Sequence, residues 1–217
     1  MMDKRVQYGL FFIISFLLIA CAQVVAPTGG EKDILAPEVL KMQPENEQTN
    51  FTAKEIVIFF NEYVKLSRLK DELIISPPLK YDLGTKIKGR SLILNIKDTL
   101  KENTTYVLNF GNSIVDIREN NPIPDFKYVF STGNEIDTFS ITGRLIEAYS
   151  SKVEKGVFIM LYDSFEDSIP TKELPTYLAR TDEDGAYRVG NIKKGTYKVF
   201  ALKDANKNYL FDRPLSL

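Results

Sequence analysis

From Ile34 onward the chain runs as short apolar stretches of alternating character, each closed by turn residues, and no segment keeps a helical period for three turns. That pattern leaves little room for anything but antiparallel sheets. In Ser91-Leu92-Ile93-Leu94-Asn95-Ile96, Leu92, Leu94 and Ile96 fall on one face. In Tyr106-Val107-Leu108-Asn109-Phe110, Tyr106, Leu108 and Phe110 do the same. Each strand then covers one side of a shared core. The expected fold class is all-β, two tandem β-sandwich (Ig-like) modules.

The first module is expected over residues 37–133, with strands Glu55–Phe60, Glu72–Ser76, Ser91–Ile96, Thr105–Phe110 and Phe126–Ser131. The second is expected over 137–217, with strands Phe139–Ile146, Gly156–Tyr162, Tyr177–Thr181, Ala186–Val189 and Gly195–Leu202. The chain stops soon after that last strand, so the second sandwich reads as truncated, with an edge open to another chain.

Ahead of the modules, Lys4-Arg5 precedes an apolar run from Tyr8 to Ala20. The run is short of the roughly 20 residues a bilayer-spanning helix needs, and its charged start is that of a signal peptide. It ends Leu18-Ile19-Ala20-Cys21, and Cys21 is the one cysteine of the chain, so no internal disulfide exists for it. The tetrapeptide resembles the lipobox of bacterial lipoproteins. The resemblance implies a cleaved signal peptide over 1–20, a lipidated Cys21 at the mature amino terminus, and a membrane held through several acyl chains. Ala22 stands where an aspartate would retain such a protein at the inner membrane, so the resemblance implies the outer membrane, with its periplasmic and surface faces both open. Residues 21–36, with Pro27 and Gly29-Gly30, read as a tether.

The order of motifs in the first module also resembles a family. Ile56-Val57-Ile58-Phe59-Phe60-Asn61-Glu62-Tyr63-Val64, then Leu100 through Tyr106-Val107-Leu108, then Ile114-Val115-Asp116 and Phe130-Ser131-Thr132-Gly133, resemble bacterial Ig-like domains of the SbsA type. Asn120 and Asn121 replace the glycine of that family's closing turn. In the second module Gly143-Arg144-Leu145, Thr181-Asp182-Glu183-Asp184-Gly185-Ala186-Tyr187 and Ile192-Lys193-Lys194-Gly195-Thr196-Tyr197 resemble carboxypeptidase-regulatory-like and collagen-binding-protein B-type sandwiches. Those modules are implied to be carriers and spacers.

The chain has no histidine, which excludes every triad or zinc site built on an imidazole. A net charge of -1 argues against nucleic acid as a partner. Removal of residues 1–20 takes away Asp3, Lys4 and Arg5, together +1, and leaves -2. Ser67-Arg68-Leu69-Lys70 spells the S-x-x-K of penicillin-recognising enzymes without its partner motifs, and reads as chance. Asp182, Glu183 and Asp184 read as a solvated hairpin tip.

One candidate ligand site remains. Asp204, Asn206, Asn208 and Asp212 place side-chain oxygens at relative positions 1, 3, 5 and 9, and Leu210 would add its carbonyl at position 7. The spacing resembles the first part of an EF-hand calcium loop. Tyr209 stands where that loop has glycine, and position 12 is Leu215 instead of glutamate. The alternative is an Asx-rich turn. The functional expectation is a non-enzymatic envelope lipoprotein that acts as spacer, scaffold or binding surface. The alternatives are a glycan- or protein-binding accessory module and the amino-terminal stalk of a longer protein.

Overall fold

The computed structural model describes residues 30–212. From Ile34 onward the chain forms one compact unit, built almost wholly of antiparallel strands. The expected all-β, Ig-like sandwich is what the chain adopts.

In the first half β1 (Val39–Gln43), β2 (Glu55–Phe60), β5 (Gly84–Lys88) and β6 (Ser91–Asn95) form a sheet in the order β1-β2-β6-β5. Facing it are β4 (Ile74–Ser76), β7 (Thr105–Gly111) and β9 (Phe126–Ser131), in the order β4-β7-β9. A small pair, β3 (Val64–Leu66) with β8 (Ile114–Asp116), closes one side. Alternation decides what is inside. Ile56, Ile58, Phe60, Leu92, Leu94, Tyr106, Leu108 and Phe110 are all buried in one cluster with Tyr128 and Phe130. Burying each such side chain contributes roughly 1.5–3 kcal/mol.

Several strands are shorter than the sequence suggests, β4 among them. Glu72 does not start β4; it ends a single helical turn, α1 (Leu69–Glu72), entered through Arg68 in the left-handed region at φ 47. Asp116 shows how the missing turn glycine is accommodated. Its buried carboxylate accepts the N–H groups of Glu119 (2.6 Å), Asn120 (3.1 Å) and Asn121 (2.7 Å), and Asn120 takes the left-handed conformation at φ 64. Asparagine tolerates that region better than most residues.

The second half holds β10 (Phe139–Arg144) paired with β13 (Ala186–Ile192), and a sheet β12-β11-β14 made of Tyr177–Arg180, Phe158–Tyr162 and Lys198–Leu202. Every residue of β11 is buried. Ile159 and Leu161 face a cluster with Val189 and Ile192 of β13. Phe158, Met160 and Tyr162 face the opposite way, into a cluster with Ile169, Leu178 and Ile74. Ile74 belongs to β4, so the three-stranded sheet is covered on both faces, one of them in part by the first half. A strand covered on both faces reads as a continuous apolar run, which is what Phe158-Ile159-Met160-Leu161-Tyr162 is.

The link between the halves is tied to both. The Thr105 hydroxyl donates to Asp137 Oδ2 (2.8 Å) and accepts the Asp137 N–H (2.9 Å). Asn191 Nδ2 donates to the Asp137 carbonyl (3.0 Å).

Candidate functional site: the 204–212 loop and the groove beside it

The loop after β14 is organised by one carboxylate. Asp204 Oδ1 accepts the N–H groups of Asn206 (3.1 Å) and Lys207 (2.8 Å), and Oδ2 accepts that of Tyr209 (2.7 Å). This is the Asx-turn chemistry that lets a short polar side chain bend the backbone around itself. Asn206 Oδ1 accepts the N–H of Asn208 (3.1 Å), and Asn208 Oδ1 accepts that of Leu210 (2.8 Å). Asp212 closes the ring, receiving Asn206 Nδ2 at 2.7 Å and Asn208 Nδ2 at 3.2 Å.

The structure therefore brings Asp204, Asn206, Asn208 and Asp212 together, with Leu210 in the same turn. Among the described residues no group of three or more acidic, cysteine or histidine side chains is placed to hold a metal. The loop offers two carboxylates, with amides making up the rest. Tyr209, the residue out of place by the EF-hand pattern, makes the turn regardless, at φ 59. Its ring is the reason a bulky residue is held there. It meets Phe158 edge-on at 5.2 Å between centroids. Burial pushes the Tyr209 hydroxyl up, and the Asp204 charge adds to it.

The loop also grips the first half. Lys207 Nζ donates to Asp71 Oδ1 (2.5 Å) and to the Lys70 carbonyl (3.2 Å), both in α1. The Lys207 ammonium, by hydrogen bond and by charge, holds the Asp71 carboxyl below the usual carboxylate range; residual desolvation opposes this, and Arg68 and Arg180 add to it. Arg180 donates to the Asp71 carbonyl and lies 4.0 Å from Glu72 Oε2. Beside these contacts lies a groove of about 430 Å³, with Leu69, Leu73, Leu79 and Tyr81 on one side and Asn206 and Lys207 on the other.

The other sequence candidates fall elsewhere. Cys21 lies outside the described residues. Ser67 precedes α1, its N–H bonded to the Ser113 carbonyl (2.7 Å). Asp182, Glu183 and Asp184 form the hairpin tip. Asp182 Oδ1 accepts the N–H groups of Asp184 (2.9 Å) and Ala186 (2.8 Å), and Glu183 pairs with Lys155 at 2.7 Å. Gly185 is required there. Its φ is +71, and a Cβ would sit 2.7 Å from the Leu145 carbonyl oxygen. The α1–loop contact was not legible in the sequence, because it joins residues 136 positions apart.

Residues 33–132 match the family described as bacterial Ig-like domain. This part of the chain is similar to that family. The match covers both sheets and the β3–β8 pair, and stops before β10. Among solved structures, the chain is similar to the N-terminal part of the bacterial S-layer protein SbsC. That likeness has a TM-score of 0.30 and 13% identity, and covers 78% of this chain and 45% of that one. It is also similar to BcpA, the major pilin subunit of Bacillus cereus, with a TM-score of 0.24 and 14% identity, over 76% of this chain and 58% of that one. The chain thus spans about half the length of either. No curated protein matches it. Among the described residues no helix is long and apolar enough to cross a membrane.

Proposed function

We propose that the protein is a non-enzymatic lipoprotein of the cell envelope, at the outer membrane, anchored through Cys21. Its tandem sandwiches, 37–133 and 137–217, serve as a stiff spacer or scaffold, the second being of the carboxypeptidase-regulatory-like type. The observation that carries the spacer reading is the sharing of Ile74 between β4 and the core behind β11. Modules joined by a buried side chain, and not by a loose linker, transmit position from an anchor to whatever binds the far end. The lack of histidine and the use of Asp182 to build a hairpin tip support the non-enzymatic reading. Growth with a labelled fatty acid tests the anchor. Label on the wild type and none on Cys21→Ser is the expected result, and label on both contradicts it.

A second reading attaches to the 204–212 loop. The oxygen-rich spacing of Asp204, Asn206, Asn208 and Asp212 supports a weak calcium site, with the Leu210 carbonyl as a further ligand, in which Asn206 and Asn208 turn their amide oxygens in place of the Nδ2 groups that now face Asp212. Two carboxylates place it at the low-affinity end of such loops. Thermal melting with calcium and with chelator tests it, and an unchanged midpoint removes the metal. The groove beside Tyr81 is the place for a glycan or protein ligand, and a glycan array with a Tyr81→Ser control reads that directly.

A further inference from the structure

The outer face of the four-stranded sheet has an order that packing does not require. Strand pairing sets Lys41, Phe59, Ser91 and Lys88 in one cross-strand row, and Gln43, Val57, Ile93 and Lys86 in the next. Their neighbours in sequence, Ile56, Ile58, Leu92 and Leu94, are buried on the core side, so these rows point outward. Val57, Phe59 and Ile93 are half-buried, while Lys41, Lys86 and Lys88 are exposed. The face is thus an apolar middle on β2 and β6, flanked by lysines on the two edge strands. Three strand spacings of about 4.8 Å separate Lys41 from Lys88, about 14 Å in all. Among the described residues none of these three lysines is in an ion pair. Glu55 is the acid of the next row, opposite Asn95. A chain that is net acidic therefore carries a locally cationic sheet face. The β-bulge of β1 adds Leu40, 64% exposed, beside Lys41.

We propose that this face binds an anionic membrane surface. The lysine-edged rows match anionic headgroups in charge, and Leu40 and Phe59 supply the apolar contact at the headgroup boundary. Among the described residues, β1 is also the first strand after Cys21 in the sequence. Residues 22–38 separate Cys21 from Val39, so the start of the sheet stays within about 60 Å of the bilayer however the tether lies. The nearness of a bilayer rests on the anchoring reading; the lysine face itself does not.

The test uses the chain from residue 21 with Cys21→Ser, which carries no lipid and keeps the compact unit from Ile34 onward. Sedimentation with phosphatidylglycerol-containing vesicles is compared with pure phosphatidylcholine vesicles. Binding to the anionic vesicles alone, lost in high salt, is expected. Replacing Lys41, Lys86 and Lys88 together by Gln weakens it by on the order of 100-fold, from about fivefold per lysine near an anionic surface. The control replaces Lys152, Lys193 and Lys194 by Gln, the same change in net charge on the second half, and binds as the parent does. No binding to anionic vesicles overturns the proposal. So does equal binding to neutral vesicles, equal loss in the control, or capture of a soluble acidic polysaccharide in place of the vesicles. A lipid label missing from Cys21 in cells would remove the anchor and leave this vesicle result standing.

Discussion

The backbone N–H of Leu178 donates to the side-chain oxygen of Ser76 at 3.0 Å, a buried hydrogen bond between residues 102 positions apart. Beside it Ile74 enters the core of the second half. These two contacts on β4 tie the halves together. Ser76→Ala strands a buried N–H and costs about 1–3 kcal/mol. Ile74→Ala removes a core side chain at about 2–5 kcal/mol. Urea unfolding followed by tyrosine fluorescence and by circular dichroism is expected to give one coincident transition for the wild type. Two separated transitions would mean the halves are independent.

Ser113 gives the opposite outcome to Ser76. Its hydroxyl is fully buried and, among the described residues, has no hydrogen-bond partner. Ser113→Ala removes an unmet polar group and is expected to be neutral or stabilising by up to about 1 kcal/mol in the same urea experiment.

Asp116 makes stability depend on acid. Burial alone would raise its carboxyl, but the backbone N–H groups of Asn121, Glu119, Asn120 and Arg118 outweigh that and hold it below the usual carboxylate range. A depressed folded value means stability that is present above the unfolded value of about 3.9 and lost as pH falls through the folded one. Asp116→Asn is expected to lose about 1–3 kcal/mol at neutral pH. Its deficit against the wild type narrows below about pH 4. Parallel unfolding curves from neutral to acid pH measure the narrowing, and a constant gap would contradict it.

How much of this was legible depends on what fixes each element. β2 (Glu55–Phe60) keeps the limits that alternation suggests, because one face is buried and the period follows, and β9 (Phe126–Ser131) keeps its limits although Tyr128 to Ser131 are buried on both faces. β1 and β5 were missed as strands. They are edges, and Gly84-Thr85-Lys86-Ile87-Lys88 looks like a turn with lysines until β6 pairs with it. The apolar run Leu73, Ile74 and Ile75 draws Glu72 into a strand by pattern alone, yet the left-handed Arg68 starts a helical turn. The meeting of Asp204, Asn206, Asn208 and Asp212 was visible in their spacing, since local Asx bonding builds it. The left-handed Tyr209 was not, because what holds it is Phe158, a distant residue in the chain.

The buried tyrosines bound stability at the alkaline end. Burial pushes the hydroxyls of Tyr128, Tyr162 and Tyr177 up to about 12. A raised folded value means stability that is full below the unfolded value of about 10 and is lost as pH rises toward about 12. Ultraviolet titration is expected to show Tyr128, Tyr162 and Tyr177 ionising only toward about pH 12, together with unfolding. A single wave near pH 10 on folded protein would contradict their burial.

The mass of the amino-terminal peptide of the protein taken from native membranes decides whether Cys21 is the anchor. The expected chain begins at Cys21, without residues 1–20, with a diacylglyceryl group on the cysteine sulfur. A peptide that still begins at Met1, or a Cys21 with a free thiol, would contradict it.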